Sequence, residues 1–350
     1  MDYLGHKAAL LRPIVVALET AARRRLKVLD AFSGTAVVAA ELRARGHRVH
    51  ANDQLALCGA WARSALLSPR RPAFVGLVHP GWRSARPYQE VLRQLNHLEP
   101  VEGFFTQHFS PASAGSDRVE RRYVTVENAT RIDAVRRRIA DWHDHLTPGD
   151  EALLLSTLVA AVMEVSNTAG TYGCYLKHWK AKAHQPLTLR PLALPADDNT
   201  DHVVTDLDAA DAAAESDADV IYADPPYTKR QYAAYYHVNE TLAHGDHPDV
   251  GGKTGLRPWQ DRASDYCYKR RALNALTTLI AAIPARQVFL SYSSEGHVAL
   301  DALRAGLEEF AEVKLHELAR VGRYRPNPVA SAAADDVTEV LLDVSKPLQD

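Results

Sequence analysis

Asp219-Val220-Ile221-Tyr222-Ala223-Asp224-Pro225-Pro226-Tyr227 decides how this chain is read. Residues 219–223 are short, mostly apolar and β-branched, the composition of a buried strand. Two prolines cannot continue a sheet ladder, so the strand stops at Asp224 and the chain leaves in a stiff, extended turn. Open α/β sheets place their ligands at the carboxyl ends of strands. This end carries a carboxylate, a proline-fixed carbonyl and an aromatic ring. Together the two oxygens can accept both N–H bonds of an amino group on a flat ring, and the tyrosine can stack on that ring. Taken alone, Asp-Pro-Pro is equally a strand-ending turn with a capping aspartate. The rest of the chain separates the two readings.

Towards the N-terminus, residues 202–206 form another strand pattern ending in an acid, Asp206, which can receive the amino group of a bound adenine. Residues 26–30 read as the first strand, followed by the turn Asp30-Ala31-Phe32-Ser33-Gly34-Thr35 and a helix over 36–45 closed by Gly46. A second strand over 47–51 ends in Asn52-Asp53. An acid about twenty positions after a glycine turn, at the end of strand two, is where ribose hydroxyls are held. The turn has a single glycine and no pyrophosphate cradle, which points to a nucleoside-type cofactor rather than a dinucleotide. Leu10, Leu11, Ile14, Val15 and Leu18 mark a helix over 8–22. Tyr3-Leu4-Gly5-His6-Lys7 precedes it, as an ordinary helix start or as a contact to a ligand carboxylate.

Past the tetrapeptide, residues 228–240 mix aromatic, basic and amide groups: Lys229, Arg230, Gln231, Tyr232, His237, Asn239 and Glu240 among them. A buried helix is not expected to be composed this way, so the stretch reads as a loop and helix start over the site. Residues 244–262 look like a mobile loop. A helix over 272–283, a strand over 287–292 and a helix over 300–310 follow. Strands over 313–318 and 338–344 have no helix between them and suit the antiparallel end of a mixed sheet, with the basic Arg323-Tyr324-Arg325 between them.

Between residues 66 and 195 the strand–helix alternation fails. Residues 103–111 look like a loop; Ile132, Val135, Ile139 and Trp142 mark one helix, and 153–165 a strongly apolar second one. Turn-rich residues 167–173 lead into 175–182, where Lys177, Lys180 and Lys182 interleave with Tyr175, His178 and Trp179. Each basic run alone reads as a solvated face. Together, in a long insertion, they suit a surface that follows phosphates.

The composition is that of a soluble globular protein: 350 residues, 46% hydrophobic and 24% charged, with a formal net charge of −2. A polyanionic partner must therefore be met by a local basic face. Cys58, Cys174 and Cys267 are scattered, without the spacing of a disulfide framework or a zinc site. The start lacks a leader pattern and nothing approaches the roughly 18 apolar residues of a membrane helix, so a cytoplasmic protein without a metal is expected.

Tyr-Leu-Gly-His-Lys, Asp-Ala-Phe-Ser-Gly-Thr, Asn-Asp, a long insert and Asp-Pro-Pro-Tyr, in that order, resemble the S-adenosylmethionine-dependent DNA adenine methyltransferases of the alpha motif order. Arg230-Gln231-Tyr232 with Tyr236-His237 and Glu240-Thr241 is similar to the subgroup that accompanies restriction enzymes, as are Asn167-Thr168 with Gly170-Thr171-Tyr172 and Leu290-Ser291-Tyr292 with Glu295-Gly296. Two positions depart from the family pattern: Ala36 stands where a second glycine is usual, and His6 where serine or glycine is usual.

The resemblance implies an α/β fold, a Rossmann-like mixed seven-stranded sheet with helices on both faces. A catalytic domain in two parts, 1–68 and 196–350, would flank a mainly helical target-recognition insert over 69–195. Tyr3 and Lys7 would hold the methionine end of S-adenosylmethionine; Asp30, Phe32, Ser33, Gly34 and Thr35 would line its loop; Asp53 would take the ribose hydroxyls and Asp206 the adenine amino group. Asp224 and the carbonyl in Pro225-Pro226 would bind the N6 amino group of a flipped adenine in double-stranded DNA, with Tyr227 stacked on it. Lys177, Lys180, Lys182, Lys229, Arg230, Gln231, Tyr232, Arg323 and Arg325 would contact the DNA, and a cognate restriction endonuclease is an expected companion. Cytosine N4, a ribosomal RNA base, protein glutamine, and a silent DNA-binding module on the same fold are the alternatives. Asp at position 224, rather than Ser or Asn, favours adenine.

Overall fold

In a computed structural model, residues 5–20, 25–77, 86–321 and 337–347 are described. Tyr3, Arg323 and Arg325 lie outside them. The chain forms two compact units.

The sheet unit comprises Lys7–Gln54, His202–Gln231 and Ala263–Asp350. Its strands are β1 (Lys27–Asp30), β2 (Arg48–Asn52), β3 (Val203–Thr205), β4 (Val220–Ala223), β5 (Gln287–Ser293), β6 (Glu312–Val321) and β7 (Val337–Ser345). They run in the order β3-β2-β1-β4-β5-β7-β6. The first five are parallel; β7 inserts antiparallel between β5 and β6. The central strand β4 is buried along its whole length, as its apolar run requires. Leu29, Ile221, Val288, Leu290 and Leu342 pack in one core with Leu276, Ile280, Leu303 and Leu307 from helices Ala272–Ala282 and Leu300–Glu308. The expected mixed seven-stranded sheet is what forms. Because β1, β2, β3, β4 and β5 are parallel, their carboxyl ends share one edge, and this gathers the acids named above.

The helical unit comprises Met1–His6, Leu55–Asp201 and Tyr232–Arg262. Its longest helix, Pro148–Val165, starts on proline, is capped by Thr147 Oγ1 accepting from the Asp150 amide, and is buried on nearly every side. Gly149 lies against the carbonyl of Leu67, where an added Cβ would come within 2.5 Å, so no larger residue fits. Helix Val126–Asp141 is capped by Thr125.

Two sequence expectations fail here, for one physical reason. Residues 103–111 contain a helix, Phe104–Phe109, whose N-terminus is capped from afar. Asp133 accepts from the Phe105 and Thr106 amides at 2.9 Å each and from the Thr106 hydroxyl at 2.6 Å. The stretch after Asp-Pro-Pro-Tyr does start helices as read, but against expectation the helix His237–His244 is a buried one, with His237, Asn239, Glu240 and Thr241 all buried. Glu240 caps helix Ala56–Leu67, accepting from the Ala56 amide at 2.9 Å and the Leu57 amide at 3.0 Å. That helix has no cap of its own. Its positive N-terminal end thus meets a buried carboxylate 184 positions along the chain. The polar residues of 237–241 serve the interior, a role that local composition does not reveal.

Candidate active site

The site is built at the carboxyl edge of the sheet unit. Asp30 ends β1 and is 1% exposed. The turn after it is held by its own backbone: the Ser33 amide donates to the Asn52 carbonyl at 2.9 Å, the Ala36 amide to the Ser33 carbonyl at 2.7 Å, and the Gly34 amide to Asp53 Oδ2 at 3.0 Å. Gly34 (φ 50°) and Ala36 (φ 58°) both occupy the left-handed region. The family glycine at position 36 has a steric reason, and alanine here carries the strain instead.

Asn52, which the sequence reading passed over, ties three strand ends together. Its amide donates to the carbonyls of Ala31 (3.2 Å) and Leu207 (3.1 Å), and its oxygen accepts from the Leu207 amide (3.0 Å) and the Thr205 hydroxyl (2.8 Å). Asp53 is half-buried beside it, and Asp206, just past β3, is exposed. Phe32 packs edge-on against Tyr266, with ring centres 5.7 Å apart.

Asp224 follows β4 as expected, with 16% of its side-chain surface exposed. The Lys7 ammonium lies 3.2 Å from its Oδ1, 3.5 Å from Glu339 Oε2 on β7, and 5.5 Å above the Tyr227 ring. Burial works against the lysine charge, but Asp224, Tyr227 and Glu339 more than offset it, and the Lys7 pKa rises above the ordinary lysine value. Burial lifts the Asp224 carboxyl above its ordinary value, with Lys7 opposing and Glu339 adding to the rise. Asp30 is pushed well above by burial, then by the charges of Asp224 and Asp53. Tyr227 packs on Tyr292 with centres 5.3 Å apart, and its carbonyl accepts from the His297 amide at 2.8 Å. Pro225 is buried.

Two hydroxyls missing from the sequence-based set complete the cluster. Tyr222 and Ser291, on the neighbouring strands β4 and β5, are buried; among the described residues neither hydroxyl makes a hydrogen bond of good geometry. The signal that could have found them is their place at the same strand ends as Asp30 and Asp224.

The DNA candidates divide between the units. In the helical unit Lys177 is exposed; Lys180 donates its ammonium to the Thr168 carbonyl at 2.7 Å and Lys182 to that of Met163 at 3.2 Å, so both reach the surface anchored. Tyr232 opens the short helix Tyr232–Tyr235 and stacks near Tyr236. In the sheet unit Lys229 and Arg230 are exposed. Gln231 is buried: it donates to the Ser264 carbonyl (3.0 Å) and accepts from the Ser264 amide (2.9 Å), which makes it a fastener of the loop it sits on.

An acidic pair around a glycine turn, facing a proline-stiffened carboxylate and its tyrosine at one sheet edge, is the arrangement the sequence motifs anticipate. The sequence model of D12 class N6 adenine-specific DNA methyltransferases matches residues 3–305. The chain belongs to that family.

Among curated proteins, this D12 chain is 32% identical to the modification methylase StsI of Streptococcus sanguinis over 314 residues, 89% of the chain and 46% of the relative. It is 35% identical to the type II methyltransferase M.FokI of Planomicrobium okeanokoites over 300 residues, 85% of the chain and 45% of the relative. It is 32% identical to the type II methyltransferase M.NlaIII of Neisseria lactamica, covering 90% of both. The chain therefore spans about half the length of the first two relatives and nearly all of the third.

The donor set fits the S-adenosylmethionine that the family name and sheet topology imply. Among the described residues Asp30 and Ser33 have buried oxygens without a hydrogen bond of good geometry, Gly34 presents bare backbone, and Asp53 holds a carboxylate at the end of β2. Buried polar atoms left without partners are costly in a finished interior, and they are what a site awaiting a polar ligand offers.

Proposed function

We propose that this protein transfers the methyl group of S-adenosylmethionine to the N6 amino group of a flipped adenine in double-stranded DNA, as the modification enzyme of a restriction–modification system. The reaction is that of an adenine-specific DNA methyltransferase. The observation that carries it is Asp224, a largely buried carboxylate at the end of β4, in an Asp-Pro-Pro-Tyr turn backed by Tyr292. Type II modification as the role of the relatives supports the biological setting.

Asp30, Phe32, Ser33, Gly34, Thr35, Asp53 and Asp206 would hold the cofactor, with Tyr3 and Lys7 at its methionine end. The bound cofactor supplies a methyl group already activated by its sulfonium charge. An adenine amino group is a poor nucleophile because its lone pair is delocalised into the ring. Asp224 and the adjacent proline carbonyl, accepting its two N–H bonds, draw the nitrogen towards sp³ and localise that pair. Ionised Asp224 is the better acceptor, and Lys7 favours the ionised form. Tyr227 offers a stacking face that offsets part of the unstacking cost, roughly 1–3 kcal/mol. The remaining contribution is positioning in a dry, preorganised pocket. Lys177, Lys180, Lys182, Lys229 and Arg230 would meet backbone phosphates, and a cognate endonuclease would share the target sequence.

Nucleoside mass spectrometry of unmethylated DNA incubated with the protein and S-adenosylmethionine tests this. N6-methyladenine is expected. N4-methylcytosine would move the acceptor, and no modified base with cofactor binding intact would overturn the reading.

A further inference from the structure

Lys7 poses a problem that the mechanism leaves open. Its ammonium sits on the carboxylate that has to accept the substrate amino group, in a pocket where Lys7 is only 6% exposed. If the amino group takes Asp224, the lysine charge needs another partner, because a buried charge stripped of its partner is strongly penalised; beside the cofactor's methionine end, the protein supplies one of its own. Glu339 is that partner. It comes from β7, next to β5 in the antiparallel part of the sheet, its side chain is 14% exposed, and its Oε2 already lies 3.5 Å from the same ammonium. Among the described residues Oε2 makes no hydrogen bond of good geometry, so it has capacity to accept.

Resting on the proposed role of Asp224, we propose that Glu339 is a positioning residue: the second seat of the Lys7 ammonium, onto which the lysine is handed when a target amino group occupies Asp224. Lys7 then has two carboxylates at 3.2 and 3.5 Å and needs only a small shift to favour either. In the resting protein it neutralises Asp224; in the substrate complex it keeps a charged partner while Asp224 turns to the base. Glu339 touches neither reactant, and acts through Lys7.

The test is a double-mutant cycle with Glu339→Gln and Lys7→Met, read as single-turnover methyl transfer to unmethylated genomic DNA, with cofactor affinity by calorimetry and the unfolding midpoint measured for each variant. Glu339→Gln removes the second charged seat at constant shape. The methyl-transfer rate should fall roughly 10- to 100-fold while cofactor affinity and unfolding midpoint stay with the parent. In the Lys7→Met background there is no cation to hand over, and the same change should cost nothing further. A parent-like rate for Glu339→Gln overturns the proposal. So does an equal loss in both backgrounds, or a loss accompanied by a lowered unfolding midpoint, since either would make Glu339 merely structural. Failure of the unsubstituted protein to make N6-methyladenine would instead sink the underlying reading, so the two failures are distinguishable.

Discussion

The two units bury carboxylates in opposite ways. In the helical unit Asp133 accepts three hydrogen bonds and Glu240 accepts two from the helix N-terminus it caps. In the sheet unit both oxygens of Asp30 lack a bond of good geometry, and Asp224 depends on a lysine. A buried acid saturated by fixed N–H groups is doing the work of architecture. On the function proposed above, one left short of donors of good geometry, beside other acids at the carboxyl edge of a sheet, is held for a ligand. The distinction lies in the bonding and not in the residue type, so it is visible only in three dimensions.

The hardest way to break this contrast is at Asp224. Asp224→Ala should lower methyl transfer by at least roughly 1,000-fold, as removal of a preorganised group at the reacting atoms does, with the fold intact by circular dichroism. Near-normal turnover would end the mechanism.

The same isosteric change in each unit sharpens it. Asp133→Asn puts an amide where at least one backbone N–H needs an acceptor, and should cost about 2–3 kcal/mol in denaturant titration without weakening cofactor binding. Asp30→Asn removes a charge disfavoured by burial and by Asp224 and Asp53, so the unfolding midpoint should hold or rise while cofactor affinity falls at least tenfold. If Asp30→Asn destabilises as much as Asp133→Asn, the two acids are not different in kind.

Acid should act in opposite directions on His237 and Asp30. Burial pushes the His237 imidazole, held by the Tyr172 carbonyl at 3.1 Å, down to about 4. Between its ordinary value and that one the unfolded chain binds the proton and the folded chain does not. The contribution of His237 to stability therefore falls as pH drops from about 6.5 to about 4, by about 3 kcal/mol in all. Asp30 is raised, so the folded sheet unit binds the proton first and gains stability as pH falls through that folded value. Hydrogen exchange at pH 7 and pH 5, corrected for intrinsic rates, should show faster opening around residues 237–244 and no loss of protection in β1 and β4. Parallel loss in both would refute the assignment of these shifts.

The strands, their mixed order and the acids at their ends could be read from the chain because strand composition, proline stops and turn glycines are local signals. Residues 220–223, 27–30 and 48–52 fold as their patterns say. What escaped were partners distant in sequence. Glu240 read as part of a loop and helix start over the site because the helix it caps lies 184 positions away, and the Phe104–Phe109 helix looked like loop because its cap is Asp133. Lys7 was expected at the cofactor; that Asp224 and Glu339 hold it depends on a sheet pairing that periodicity does not specify.

The smallest expected effect isolates the strain in the cofactor turn. Ala36 is held at φ 58°, which costs an alanine about 1 kcal/mol that a glycine escapes. Its methyl is also 1% exposed, and losing a buried methyl costs about 0.8 kcal/mol. The two nearly cancel, so Ala36→Gly should change stability by less than about 0.5 kcal/mol. Ala39, three residues on and fully buried in helix Val37–Ala44, offers the control. There glycine loses the methyl and also pays the helix-interior cost, about 1.3–1.8 kcal/mol in total with nothing in return. The difference between the two substitutions, about 1–1.5 kcal/mol, measures how firmly the two backbone bonds of the turn and the Gly34 amide bond to Asp53 hold the left-handed conformation. Equal losses at both positions would mean that Ala36 relaxes out of that conformation, and that the turn is set only when a ligand arrives.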